Sequence, residues 1–230
     1  MVSLVWIIGA AGTIWLLYVY YRDQKRTRLR RARFLNACDG ILDAALTTYD
    51  AFGYPKMSGR YRNLPVTVEV VVDAVAVRKL PSLWLKVTLI APVAVASVID
   101  LMMRPSGTEF YSPFEDLPQR VETPTDWPER AVVRTDDADQ LPGLQLLAGH
   151  VGFLEHPQAK ELLISPKGVR IVWQADEAQR GDYLLLRQAR FDREHLEPEV
   201  LRDLIERCIA IRDGLAETQD RGQAPRRRSA

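Results

Sequence analysis

The chain begins with an uncharged apolar stretch, and a strongly basic stretch follows directly after it. Residues 1–21 read MVSLVWIIGAAGTIWLLYVYY, whereas residues 22–33 carry seven basic side chains and one acidic side chain. About 20 apolar residues in a helix span roughly 30 Å, the thickness of the hydrocarbon core of a bilayer. The pattern predicts a transmembrane anchor over residues 1–21 and a basic juxtamembrane segment over residues 22–33.

A cleaved signal peptide and a buried core helix are the alternatives for this stretch. A signal peptide carries its positive charges before the apolar core and a small-residue cleavage site after it, and this chain shows the reverse charge order. A core helix of this length normally has a polar face. We therefore expect a single-pass signal-anchor in the cell (inner) membrane. The positive-inside rule places the N-terminus outside and the rest of the chain in the cytoplasm.

The basic segment is expected to contact anionic lipid headgroups at the surface of the bilayer. Each well-placed cation near such a surface contributes about 1 kcal/mol. The residues with this expected role are Arg22, Lys25, Arg26, Arg28, Arg30, Arg31 and Arg33. Within the anchor, Gly9 and Thr13 are small residues four positions apart, a spacing that lets two helices approach closely. A homodimer is therefore one expected assembly.

The rest of the chain is acidic. Residues 34–219 contain twenty Lys and Arg against twenty-eight Asp and Glu, a net charge of −8. A nucleic-acid-binding protein needs a basic surface to neutralise phosphates, so we expect no nucleic-acid partner. Cys38 and Cys208 lie far apart in apolar patterns, which favours free, buried thiols in a reducing compartment.

The spacing of apolar residues predicts an α+β domain over residues 34–217, with a mainly antiparallel sheet and flanking helices. Helical spacing covers residues 34–52 and begins again after Pro198, and two-residue alternation covers residues 66–73. The other expected strands are residues 75–78, 131–135, 160–164, 168–174 and 183–191, of which the third and fourth form a hairpin. Residues 218–230 are polar and arginine-rich and are expected to be a disordered tail.

Two segments allow more than one interpretation. The apolar run from Leu83 to Ser97 is interrupted near its ends by charges, so whether residues 87–103 form a buried strand or a second membrane segment stays open. Residues 104–130 are an irregular proline-rich loop that also carries Phe110, Tyr111, Phe114 and Trp127. Such a loop either docks its rings on the core or offers them to a partner.

No sequence motif predicts catalysis, a metal site or a cofactor. The phosphate-binding loop, the dinucleotide fingerprint and the nucleophile elbow have no match. His150, His156 and His195 do not have the spacing of metal ligands. The expected partner-binding residues are Trp127, Trp173, Arg170 and Arg180, because exposed tryptophan and arginine dominate many interfaces. We expect a non-enzymatic interaction or scaffold module with a protein partner; the alternative is a membrane-tethered small-molecule sensor or an enzyme with a non-local active site.

Overall fold

The computed structural model describes residues 2–74, 80–186 and 189–223, and in these ranges all side chains except those of residues 2–5, 7, 185, 186 and 219–223. The helices are α1 (Val2–Ala32), α2 (Ala148–Val151), α3 (Arg180–Leu186) and α4 (Pro198–Gln223). The strands are β1 (Asp43–Tyr49), β2 (Pro55–Tyr61), β3 (Leu64–Asp73), β4 (Ser82–Leu89), β5 (Ile99–Met103), β6 (Gln119–Val121), β7 (Ala131–Thr135), β8 (Ala159–Ser165) and β9 (Gly168–Glu177).

Within these ranges the strands form one nine-stranded sheet in the order β1-β2-β3-β4-β9-β8-β5-β7-β6. Every pairing in it is antiparallel. The predicted α+β domain with a mainly antiparallel sheet is therefore confirmed. The hairpin across Ser165 to Gly168 is also confirmed, and its second strand, β9, pairs with β4 at the centre of the sheet.

One face of the sheet carries the main core. The two-residue alternation of β3 places Val66, Val68 and Val70 on this face, where each is at most 3% exposed. Helix α4 covers the face and contacts β4 and β9. Its buried residues recur at helical spacing, as the sequence predicts: Leu201, Leu204, Ile205, Cys208, Ile209, Ile211 and Leu215. This is a helix laid on a sheet, in which burial of both apolar faces stabilises the fold.

The other face of the sheet carries polar side chains and a small apolar cluster of Trp84 and Val172, against which Tyr111 of the loop of residues 104–130 packs. Of the four aromatic residues in this loop, only Phe110 is exposed, while Tyr111, Phe114 and Trp127 are at most 7% exposed. Arg134 of β7 holds the loop by donating to the carbonyls of Glu115 and Leu117, both at 3.2 Å. The loop therefore docks its rings instead of offering them to solvent.

The prediction of a transmembrane anchor over residues 1–21 is wrong for the described part of the chain. No helix there is long and apolar enough to cross a membrane. The membrane topology that we inferred from the anchor, with the N-terminus outside, loses its basis. Residue 1 lies outside the described ranges.

The end of the basic segment packs on the domain. Arg28 donates to the carbonyl of Ala51 at 3.0 Å, and Arg31 donates to the carbonyl of Phe52 at 3.1 Å. Arg30 pairs with Glu194 at 3.3 Å. These three arginines therefore anchor α1 to the sheet edge and to the loop before α4. The expected contact of the basic segment with anionic headgroups stays a prediction.

The helix expected over residues 34–52 is wrong, because burial there ends at Leu42 and strand β1 follows. Every residue of β1 is exposed, including Leu46 and Tyr49, so these residues do not extend the apolar stripe that Cys38 belongs to. Apolar spacing over a short segment does not separate a helix from an edge strand. Pairing with β2, for example Thr47 opposite Met57, fixes the strand.

Other boundaries also differ from the expected ones. The strand expected over residues 183–191 is instead helix α3 up to Leu186, in keeping with the helix propensity of its leucines. Residues 87–103, for which a second membrane segment stayed open, comprise the end of β4, an irregular segment and β5. Helix α4 continues to Gln223, past the expected start of a disordered tail at 218. Residues 75–78 and 224–230 lie outside the described ranges.

Candidate functional sites

The first candidate site is a cavity between the sheet and the loop of residues 104–130, which we call the loop cavity. It has a volume of about 270 Å³ and lies where the end of β3, the starts of β4 and β8, and the end of β9 come together. Its polar wall is formed by Asp73, Ser82, Arg104, Ser106, Glu109, Lys160, Gln174 and Glu177, and Trp84, Tyr111, Leu80 and Pro157 complete it.

A buried ion pair fixes the loop above this cavity. Lys160 Nζ lies 2.7 Å from Glu109 Oε1, and the two side chains are 6% and 2% exposed. The same ammonium donates to the carbonyls of Met103 and Arg104, both at 3.0 Å. Burial opposes ionisation of Glu109, but hydrogen bonds from Lys160 and Ser106 outweigh it and lower the pKa of this carboxyl to about 2. The pair is therefore ionised at neutral pH.

A second buried polar cluster lies next to the cavity under the same loop. Asp100 of β5 and Glu161 of β8 are both 0% exposed. Ser112 donates to Glu161 Oε1 at 2.8 Å and to Asp100 Oδ2 at 3.3 Å, and Arg170 pairs with Glu161 at 3.3 Å. Within the described residues, Asp100 Oδ1 and Glu161 Oε2 have no hydrogen-bond partner. A proton shared between the two carboxyls would form a hydrogen bond between these two oxygens.

The electrostatics of the cluster place this proton on Asp100. Burial, followed by the negative charge of Glu161, raises the pKa of Asp100 well above its usual value. Burial also raises the pKa of Glu161, but Arg170 and Ser112 oppose that rise. Two carboxyls held together in this way keep one proton between them. Burial and the charge of Glu161 therefore favour the protonated form of Asp100, while the guanidinium of Arg170 favours the ionised form of Glu161.

We expect Asp100→Asn to change how stability depends on pH. The raised pKa means that Asp100 contributes full stability below its unfolded-state pKa, near about 4, and loses it as pH rises through the folded-state pKa, at about 1.4 kcal/mol per pH unit. An asparagine keeps a donor and has no proton to lose. Urea unfolding from pH 4 to pH 9 should show the variant gaining stability relative to wild type as pH rises.

The matched control for this measurement is Asp116→Asn, because Asp116 lies in the same loop and is exposed. Its pH dependence should follow that of wild type. Parallel curves for wild type and Asp100→Asn over the whole range would show that Asp100 is ionised in the folded chain and would contradict the shared proton.

The second candidate site is an open groove around Trp173, which we call the Trp173 groove. It has a volume of about 590 Å³ and is lined by Gly152, Phe153, Glu155, His156, Trp173, Asp203 and Arg207. The rings of Trp173 and His156 stack with their centroids 4.7 Å apart. The guanidinium of Arg207 lies 5.4 Å from the centre of the Phe153 ring and is held by Asp203 at 2.7 Å. The groove therefore carries two ring contacts, one between two aromatic rings and one between a guanidinium and a ring.

The expected partner-binding residues do not lie together. Trp173 lines the groove. Trp127 is 5% exposed and packs in the main core, so a partner cannot reach it in this structure. Arg170 is directed to the buried Glu161. Arg180 is exposed at the start of α3 and does not line the groove.

The buried charges of the loop cavity and the carboxyl cluster were missed by sequence reasoning. Lys160 and Glu161 stand beside the apolar residues of β8, and Asp100 stands within the short apolar strand β5. A charged residue inside an otherwise apolar strand was the signal available from the sequence. It indicates a buried partner, because charged residues are almost never fully buried unless they are paired. The partners in the loop, Glu109 and Ser112, carry no such signal.

Redox and metal chemistry find little support in the described residues. Cys38 and Cys208 are buried free thiols, and burial raises their pKa values to about 11 and about 12, which suppresses the reactive thiolate. Among the described residues, no group of three or more His, Cys, Asp or Glu side chains could hold a metal ion.

Known proteins offer little similarity to this chain. No protein-family model matches it, and no curated protein matches it. One solved structure, the crystal structure of the mycobacterial trehalose monomycolate transport factor A (TtfA), is 11% identical over 85% of this chain and 94% of that chain, with a TM-score of 0.38. A similarity at this TM-score carries no argument about function.

Proposed function

We propose that the protein is a non-enzymatic interaction module that binds a segment of a partner protein in the Trp173 groove. The observation that carries this proposal is the stack of the half-buried Trp173 on the exposed His156, beside the second pair of Phe153 and Arg207. Tryptophan and arginine are the residue types that most often dominate binding energy at protein interfaces.

The groove has contacts that favour the observed positions of its rings and its cation. Trp173 stacks on His156, and Arg207 pairs with Asp203, which lowers the rotamer entropy that binding would cost. The exposed carboxylate of Glu155 gives the rim of the groove a negative charge. Residues 34–219 also carry a net charge of −8. A segment with an apolar side chain next to a lysine or arginine fits this surface best.

The proposal can be tested by photo-crosslinking in the native host. A photoreactive amino acid at position 152, in the groove, should form an adduct with a partner, while the same amino acid at Thr48 on β1 should not. Trp173→Ala should weaken the adduct roughly tenfold or more, because it removes the aromatic anchor. Glu155→Lys, which alters only an exposed charge, should weaken it as well.

Two control variants show whether the loss of the adduct is specific to the groove. Tyr49→Ala removes an exposed aromatic residue on the edge strand β1, and Glu122→Lys reverses an exposed charge in the loop. Both should leave the adduct unchanged. An adduct that survives both groove variants, or that forms equally from position 48, would contradict the proposed binding surface.

The loop cavity favours a second candidate function, the binding of a small molecule by a sensor domain. The cavity is more enclosed by side chains than the groove and carries several polar groups on rigid strands, the usual arrangement of a small-ligand pocket. Neither His150 nor His195 lines this cavity.

A further inference from the structure

We propose that residues 110–118 form a lid that lifts from the sheet and, in lifting, releases the proton that Asp100 and Glu161 hold beneath it. Rising pH then favours the open lid. The lid is the part of the loop of residues 104–130 that lies on the carboxyl cluster. This inference concerns a movement of the domain and does not depend on either candidate function.

Within the described residues, side chains and not backbone groups join the lid to the sheet. The backbone N–H groups of Ser112, Asp116 and Leu117 donate to carbonyls inside the loop, at 2.9, 2.9 and 3.4 Å. Both ends of the lid are held, because Glu109 pairs with Lys160 just before it and strand β6 begins just after it. The lid therefore has two fixed ends and lifts without breaking any strand pairing.

Ser112 fastens the middle of the lid to the carboxyl cluster. Its hydroxyl oxygen lies 2.8 Å from Glu161 Oε1 and 3.3 Å from Asp100 Oδ2, and it accepts the N–H of Phe114 at 3.1 Å. A serine hydroxyl has one hydrogen, so it cannot fully satisfy two carboxylates at once. The contact therefore suits a closed lid over a cluster in which one of the two carboxyls is protonated.

The cations around the cluster do not balance two carboxylates. Arg170 of β9 pairs with Glu161, and within the described residues no cation pairs with Asp100. Two further cations face the cluster from β4 and β7, and each already pairs with an acid outside it: Lys86 with Glu69 and Arg134 with Glu115. A carboxylate buried without a counterion is costly, so the closed lid requires the proton.

The sign of the pH dependence follows from the proton that the closed lid holds. Burial, followed by the charge of Glu161, raises the pKa of Asp100 under the closed lid. When the lid lifts, Asp100 meets water and its pKa returns towards about 4. The closed lid is therefore fully favoured below about pH 4, and above it the opening equilibrium constant rises about tenfold per pH unit. Tyr111 of the lid stays neutral throughout, because burial raises its pKa far above the usual value.

The closed lid also covers polar atoms that gain water when it lifts. Five buried side-chain atoms of the lid and of the sheet surface beneath it have no hydrogen-bond partner among the described residues: Trp84 Nε1, Asp100 Oδ1, Tyr111 Oη, Glu161 Oε2 and Arg170 Nε. A buried polar atom without a partner destabilises the state that buries it. These atoms therefore lower the free energy that opening costs.

Hydrogen exchange of the full chain, measured by mass spectrometry between pH 5.5 and pH 8.5, tests the lid. Amide exchange itself accelerates about tenfold per pH unit, so an opening that releases one proton should give about hundredfold per pH unit in residues 110–118. Asp100→Asn should reduce this rise to about tenfold. Asp116→Asn, which changes an exposed acid of the same lid, should leave it at about hundredfold. Ser112→Ala should speed exchange about tenfold at every pH and keep the steep pH dependence.

Three results would overturn the inference. A tenfold rise per pH unit in the wild-type lid would show that opening releases no proton. Protection of the lid equal to that of residues 168–177 in β9 would show that the lid opens only when the whole chain unfolds. A hundredfold rise that persists in Asp100→Asn would assign the proton to another group.

Discussion

Replacing Glu109 by glutamine is expected to lower the free energy of unfolding by about 3–5 kcal/mol, the cost of leaving a buried charge without its partner. Lys160 would keep its two carbonyl acceptors but lose the carboxylate that it contacts at 2.7 Å. Ser106 and Thr108 would also lose part of an ionised acceptor. Urea unfolding at pH 7 measures the loss.

The loss of stability caused by Glu109→Gln should become smaller as pH falls. The pKa of Glu109 is lowered to about 2 in the folded chain, so its stabilisation is complete above the unfolded-state pKa, near about 4.3, and is lost as pH falls towards 2. The difference between wild type and Glu109→Gln should therefore be largest above pH 5 and shrink at lower pH.

The control for Glu109→Gln is Glu122→Gln in the same loop, where the side chain is exposed. We expect it to change the free energy of unfolding by less than about 0.5 kcal/mol. A loss below about 1 kcal/mol for Glu109→Gln, or a difference from wild type that does not depend on pH, would show that the ion pair does not fix the loop to the sheet.

Replacing Gly168 by alanine is expected to destabilise the fold by about 3 kcal/mol, at the upper end of what overpacking in a well-packed site costs. A Cβ at this position would overlap the carbonyl oxygen of Leu89 and lie 3.2 Å from its carbonyl carbon. Both atoms are backbone of β4, so no side chain can turn aside. The strands β4 and β9 would have to separate where Leu89 pairs with Val169.

Gly149→Ala is the matched control for Gly168→Ala, because a Cβ there meets nothing within 4 Å. Alanine has a higher helix propensity than glycine, and position 149 lies in helix α2. This variant should therefore be neutral or slightly stabilised. Thermal unfolding of the three chains compares them directly. Equal midpoints for wild type and Gly168→Ala would show that the two central strands are not packed as closely as the structure has them.

Sequence patterns predicted the elements in which one face is apolar over several turns or strand residues. The helix after Pro198 and the hairpin around Gly168 are examples, because a single periodicity holds throughout each. The patterns failed where the apolar segment was short or where contacts with another part of the chain determined the secondary structure. Residues 43–49 form an edge strand because β2 offers unpaired backbone groups, which their own sequence does not reveal.

The candidate sites could be predicted only in part. Trp173 was singled out from its charged neighbours, and the structure places it in an open groove. The stack on His156 joins a residue of the loop before β8 to a residue of β9, and no local pattern encodes that contact. The loop cavity was not predicted, since Glu109 and Lys160 are far apart in sequence and meet only when the loop crosses the sheet.

The amino-acid sequence by itself determined the acidic charge of the domain, the buried stripe of α4 and the alternation of β3, because each is set by residue type and spacing along one segment. Only the tertiary structure decided that α1 is tied to the domain through Arg28, Arg30 and Arg31, and that Asp100 and Glu161 are buried together with one unpartnered oxygen on each carboxyl. Pairing of buried charges depends on distances between strands and loops, and the desolvation that shifts their pKa values exists only when the sheet and the loop above it have come together.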